Sequence, residues 1–188
     1  LLAGCRIPAP AKPASATPTP QTIAITTPNA GADGLGDPFY PQQGNGGYDA
    51  LHYTLDLAVD MQRHALTGTA TITAQAAQTL TAFNFDLQGL TVNRVRVNQV
   101  AAIFRRNADE LTIIPASPLA SGALFTTTIA YNGVPAGVAD PGVPFEKIGW
   151  LVFDPGIFVL SEPSGAMSWY PVNNHPLDKA IYTFRITV

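Results

Sequence analysis

A single carboxylate, Glu162, opens the stretch of this 188-residue sequence that holds the most promising set of polar side chains. Asn174, His175 and Lys179 follow it, with Trp169 and Tyr170 in between. Pro163, Pro171 and Pro176 keep the run out of a helix, because each removes an N–H donor and fixes φ. Polar groups on a rigid loop beside a sheet are a frequent seat of binding. From position alone, Glu162 caps a turn or pairs with Lys179. A carboxylate in a partly buried cleft can also hold an ammonium group through charge-assisted hydrogen bonds. His175 reads as a hydrogen-bonding loop residue, and Trp169 and Tyr170 as packing residues.

Other chemistry is thinly represented. His52, His64 and His175 form no spaced pair, so an H-E-x-x-H zinc site is absent from these residues. Cys5 is the one cysteine, which excludes an intrachain disulfide and a cysteine-based zinc site. Asp56, Asp60 and Asp86 alternate with apolar residues and read as solvent-facing strand positions, not as a calcium set. The net charge is -3, and the ten Lys and Arg are scattered, so no basic surface is offered to nucleic acid.

The elements that position Glu162 read as strands. Tyr53, Leu55, Leu57 and Val59 alternate with polar residues, as do Leu66, Ala70, Ile72 and Ala74. The polar Met61-Gln62-Arg63-His64 between them predicts a hairpin. Phe83, Phe85 and Leu87 continue the pattern. Leu90 and Val92 are out of phase with Val95 and Val97, which predicts a bulge or turn near Asn93. Further strands follow near Asn98 to Phe104, Leu111 to Ile114, Phe125 to Tyr131, Trp150 to Phe153 and Ile157 to Leu160. A Gly/Pro-rich flap runs from Asn132 to Lys147. Tyr182, Phe184, Ile186 and Val188 then alternate with Thr183, Arg185 and Thr187, the mark of a half-buried strand. No window has a helical period. The fold class is all-β, a saddle-like sandwich of mostly antiparallel strands.

Ahead of the strands, Leu1-Leu2-Ala3-Gly4-Cys5 resembles the end of a bacterial lipoprotein signal peptide. That resemblance implies lipidation of Cys5 and an extracytoplasmic protein anchored to a membrane. Residues 6–36 are rich in Pro, Ala and Thr and read as a disordered tether, with the folded domain at 37–188. The chain stops inside its last strand, and a further domain is expected downstream.

The order Glu162-Pro163, Tyr170-Pro171, Asn174-His175-Pro176 and Lys179-Ala180 resembles the zinc aminopeptidase N family. Asp37-Pro38-Phe39-Tyr40-Pro41, Gly44-Asn45-Gly46-Gly47-Tyr48-Asp49, His52-Tyr53 and Leu66-Thr67-Gly68 fit it as well. The resemblance implies an N-terminal β domain whose thermolysin-like catalytic domain, with its zinc, lies downstream. No catalytic or metal-ligating residue is expected in this fragment, which by itself should be inactive. Gly165-Ala166-Met167 imitates a substrate loop of the family but continues with Ser168-Trp169 and falls in the wrong domain. The resemblance gives Glu162 a role as anchor for the α-amine of a peptide substrate. Asn174 stands where the family commonly has Asp, and Met167 where many relatives have Arg. The alternative is a non-catalytic tethered sandwich that binds a peptide or protein partner at a sheet edge or the flap. A domain whose partner is missing should expose an apolar face, with Trp169, Tyr170 and Phe158 as candidates.

Overall fold

The computed structural model describes residues 30–41 and 43–188. Cys5 and most of the tether lie outside the described residues. The chain touches the folded body from Ala30, which bridges Ala82 in parallel.

The architecture is an all-β sandwich. Its main sheet holds β1 (Tyr48–Asp60), β2 (Ala65–Ala76), β4 (Thr91–Val97), β5 (Val100–Ala101), β8 (Leu124–Gly133) and β11 (Ile181–Thr187). The smaller sheet holds β3 (Phe83–Asp86), β6 (Ile103–Asn107) and β7 (Glu110–Ile114), and β9 (Gly149–Phe153) pairs with β10 (Gly156–Leu160) as a hairpin. The main sheet has the order β11-β1-β2-β8-β4-β5, and the smaller one β3-β7-β6. All these pairings are antiparallel except β1 with β11.

Side-chain period explains the arrangement. On the β1–β2 hairpin, Tyr53, Leu55 and Leu57 face the same core as Leu66, Ala70, Ile72 and Ala74. The polar turn is closed by Asp60, whose Oδ1 accepts the N–H groups of Gln62 and Arg63, both at 3.0 Å. The phase change in β4 is a register shift between Val92 and Arg94 against β8, which lets Val95 and Val97 reach the core. Phe83, Phe85, Leu111 and Ile113 of the smaller sheet meet that core from the other side. Tyr48 packs edge-on against Phe83, Phe85 and Phe125 with centroids 5.8, 5.5 and 6.3 Å away.

Three expectations change. The alternation of β11 is real, but its apolar face is not covered: Phe184 is 50 % exposed and Ile186 56 %. β11 is an edge strand, and among the described residues its apolar face meets only Trp169, Tyr170 and the β9–β10 hairpin. The exposed apolar face is therefore built by Tyr182, Phe184, Ile186 and Val188, with Ile157 and Val159 of β10 beside it, whereas Phe158 is exposed on the other side of β10 with Phe145 and Phe153. Trp169 and Tyr170 are themselves buried. Asp86 is also buried, because residues 172–174 pair with β3 and cover the side that alternation assigns to solvent.

Candidate functional site

Glu162 follows β10, where the backbone turns through Ser161, Pro163 and Ser164 into a single 3-10 turn, Gly165–Ser168. Each flank of Glu162 is pinned. On one side the Ser161 carbonyl accepts the Gly165 N–H at 2.7 Å, and Ser161 Oγ accepts the Trp169 indole N–H at 3.1 Å. On the other side Ser164 Oγ donates to Asp140 Oδ2, and the Ser164 carbonyl accepts Asn174 Nδ2 at 2.8 Å. Asp140 Oδ1 in turn accepts the Tyr40 O–H at 3.1 Å and the Gly142 N–H at 2.7 Å.

Packing fixes the same turn. A Cβ on Gly165 would sit 2.5 Å from Gly149 N and 2.5 Å from Leu160 O, so only glycine lets these backbones meet. Ser168 Oγ closes the contact, accepting the Trp150 N–H at 3.0 Å and donating to the Gly165 carbonyl at 2.7 Å. The Gly165-Ala166-Met167 stretch is thus a structural turn.

The Glu162 side chain itself is exposed and, among the described residues, has no hydrogen bond and no ion pair. Lys179 is exposed too, and the two do not pair. The turn-capping and Lys179-pairing readings of Glu162 are therefore not what the fold shows.

Beneath the loop lies a buried polar network. Asp86 Oδ2 accepts both Asn45 Nδ2 at 2.8 Å and the Asn174 N–H at 2.9 Å. Asp86 and Val172 also exchange backbone bonds at 2.8 and 3.0 Å. Asn173 donates its N–H to Tyr53 Oη at 3.0 Å and its Nδ2 to Asp178 Oδ2. His175 is buried as a loop residue. Its Nδ1 accepts the Leu177 N–H at 3.1 Å, while Nε2 lies 3.6 Å from Asp37, beyond hydrogen-bond reach. Asn174 explains itself here: its amide donates to Ser164, which a carboxylate could not do.

The network shifts its acids. Burial pushes the Asp86 carboxyl up to about 7, against the opposing pull of the Asn174 N–H. Glu110, paired with Asp86 across β3 and β7, is raised to about 7 by burial and by the charges of Asp86, Asp33 and Asp109. Burial likewise raises Asp178 to about 6. Sequence reasoning missed Asp86, Asp140, Asp178 and Asn45. Asp140 carried a signal, since Asp140-Pro141-Gly142 is a turn sequence whose carboxylate bonds the N–H two residues on.

Among the described residues, no three His, Cys, Asp or Glu side chains lie close enough to hold a metal ion. His52 bonds Thr183 Oγ1 at 2.9 Å, and His64 sits in the β1–β2 turn. These donors do not fit a zinc site.

Among solved structures, a point mutant of an M1 zinc metallopeptidase from Deinococcus radiodurans, bound to a Tyr-Ser-Ala substrate, is similar at 31% identity and TM-score 0.75. The match covers 81% of this chain and 35% of that one. In fold and sequence the chain is similar to M1 zinc metallopeptidases, consistent with the N-terminal domain of an enzyme of that kind. The M1 zinc metallopeptidase from Deinococcus radiodurans without the mutation matches at 30% identity and TM-score 0.75, again over 81% and 35% of the two chains. Yeast LTA4 hydrolase in complex with bestatin shares the fold, at 22% identity and TM-score 0.56 over 74% of this chain and 23% of that one. The chain thus spans about a third of the length of the metallopeptidases it matches. No protein-family model and no curated protein gave a match.

Proposed function

We propose that this M1-type domain is the N-terminal part of a zinc-dependent aminopeptidase and that Glu162 binds the free α-ammonium group of the peptide. The observation that carries the reading is the state of Glu162: an exposed carboxylate without a partner, on a backbone pinned at both flanks. An ammonium group entering a cleft there loses water and gains charge-assisted bonds. Holding the amine places the first peptide bond at a fixed distance, which is what makes a peptidase act at chain ends. The ligands of the solved relatives support this. Tyr-Ser-Ala, L-tryptophan and L-arginine are bound to M1 metallopeptidases in three of them, and these molecules share an α-amine while their side chains differ.

In this reading the zinc and the residues that activate water belong to a catalytic domain beyond Val188, and the exposed face of β11 packs against the rest of the parent protein. Cys5 carries the lipid that anchors that protein outside the cytoplasm. In the full-length protein, Glu162→Gln should lower kcat/KM on free-amine aminoacyl substrates by about 10- to 100-fold, the value of one charge-assisted bond. Unchanged kinetics would remove the amine role. The open edge of β11 favours a second reading, a peptide-binding module. Equal affinity for free and N-acetylated peptides would support that module and count against the anchor.

A further inference from the structure

We propose that Asp140 is a positioning residue for the Glu162 carboxylate, acting through Ser164. The inference rests on the amine-anchor reading of Glu162 and adds what holds that anchor in place.

Asp140 lies in the loop between β8 and β9 and is 5% exposed. Among the described residues it has no cationic partner within ion-pair distance. A buried carboxylate in that position is costly unless donors surround it. Three do, from three separate stretches of chain: Tyr40 O–H and Gly142 N–H on Oδ1, and Ser164 O–H on Oδ2. The first two close the loop on itself and on the lead-in segment. Only the third reaches toward Glu162.

Ser164 is 1% exposed, and both its polar ends are taken, the hydroxyl by Asp140 and the carbonyl by Asn174. Ser161 is held by Gly165 and Trp169, so the chain is tied on each side of Glu162. The Glu162 side chain, exposed and without a partner among the described residues, extends from between these two ties. Such a carboxylate meets its ligand with the backbone already ordered, so binding spends less entropy on the loop. If Asp140 served only to shape its own loop, Tyr40 and Gly142 would be enough. The bond to Ser164 is the one with a consequence at Glu162.

Ser164→Ala separates the two roles, because it cuts the link to Glu162 and leaves Tyr40 and Gly142 on Asp140. In the full-length protein, assayed on an aminoacyl p-nitroanilide with a free α-amine, Ser164→Ala and Asp140→Asn should each raise KM about tenfold. In a Glu162→Gln background Ser164→Ala should add nothing further. Hydrogen exchange of the same proteins should show the Gly165 and Trp169 amides losing protection while β1 and β2 keep theirs. Wild-type KM in Ser164→Ala, or a full additive loss in the double variant, would overturn the proposal. If Glu162→Gln alone leaves KM unchanged, the amine anchor is wrong. The exchange data then decide by themselves: lost protection at Gly165 upholds Asp140 as the group that fixes this stretch, and retained protection overturns it.

Discussion

Replacing Asp86 with Asn should stabilise the domain near neutral pH and flatten its pH dependence. Asp86 is 5% exposed, and burial raises its carboxyl from 3.8 to about 7. For an acid raised in the fold, the native state holds a proton that the unfolded chain releases. Its contribution is complete below the unfolded value of 3.8 and is lost as pH climbs to about 7. A shift of roughly 3 units at about 1.4 kcal/mol each sets a ceiling near ~4 kcal/mol for that loss. A buried site is effectively more polar than its burial implies, so roughly half the ceiling, about 2 kcal/mol, is the working expectation. The substitution is close to isosteric. Asp86 accepts both side-network bonds on the single oxygen Oδ2, and one amide oxygen can take both. Urea unfolding, followed through the buried Trp150 and Trp169, should give a wild-type midpoint that falls between about pH 4.5 and pH 8. The midpoint of Asp86→Asn should fall less and should exceed wild type at about pH 8. Subtracting the two curves removes Asp178, which is also raised, to about 6, and is present in both. Parallel curves across the range would refute the reasoning, since they would mean that Asp86 is not the group whose proton the fold retains.

Four further substitutions test the packing. Thr127 is fully buried with Oγ1 lacking a partner, so Thr127→Val should raise stability by about 1 kcal/mol in denaturant titration; a loss would show the hydroxyl to be bonded. Gly165→Ala forces a Cβ to 2.5 Å from two backbone atoms and should cost about 2–3 kcal/mol; an unchanged Tm would mean the Gly149–Gly165 contact is looser than described. Phe184→Ser and Ile186→Thr on the uncovered face of β11 should change the stability of this chain by less than about 1 kcal/mol while reducing binding of a hydrophobic dye. A larger loss in either variant would show that the face is packed.

Local rules were legible in the sequence where one strand and its turn decide the outcome. The β1–β2 hairpin, its polar turn and the slip near Asn93 all follow from period and turn chemistry. What alternation does not carry is the identity of the covering layer. It divides a strand into two faces, and only tertiary context says which face is covered. Asp86 shares a face with Asn84 and Gln88, a polar side by every local measure, yet residues 172–174 roof it over. β11 has the opposite outcome, with an apolar face and nothing described to cover most of it. At the site, the motif singled out Glu162 as a candidate. The clasp from Asp140 and Asn174 was not, because hydrogen bonds between loops far apart in sequence leave no periodic trace.

The parallel pairing of β1 with β11 bears on how the chain is made. β1 is the first strand of the main sheet, and its register partners for His52 to Ala58 arrive 129 residues later. At a synthesis rate of about 5–20 residues per second, that edge waits on the order of 6–26 s with its backbone groups open. An open edge is a template for the wrong strand. Asp56 lies along β1 during that interval, and a charge on an open edge disfavours pairing with another strand. When β11 docks, Asp56 meets Arg185 at 3.0 Å. The carboxylate that discourages premature association on the ribosome thus ends in a cross-strand pair with the strand that closes the edge.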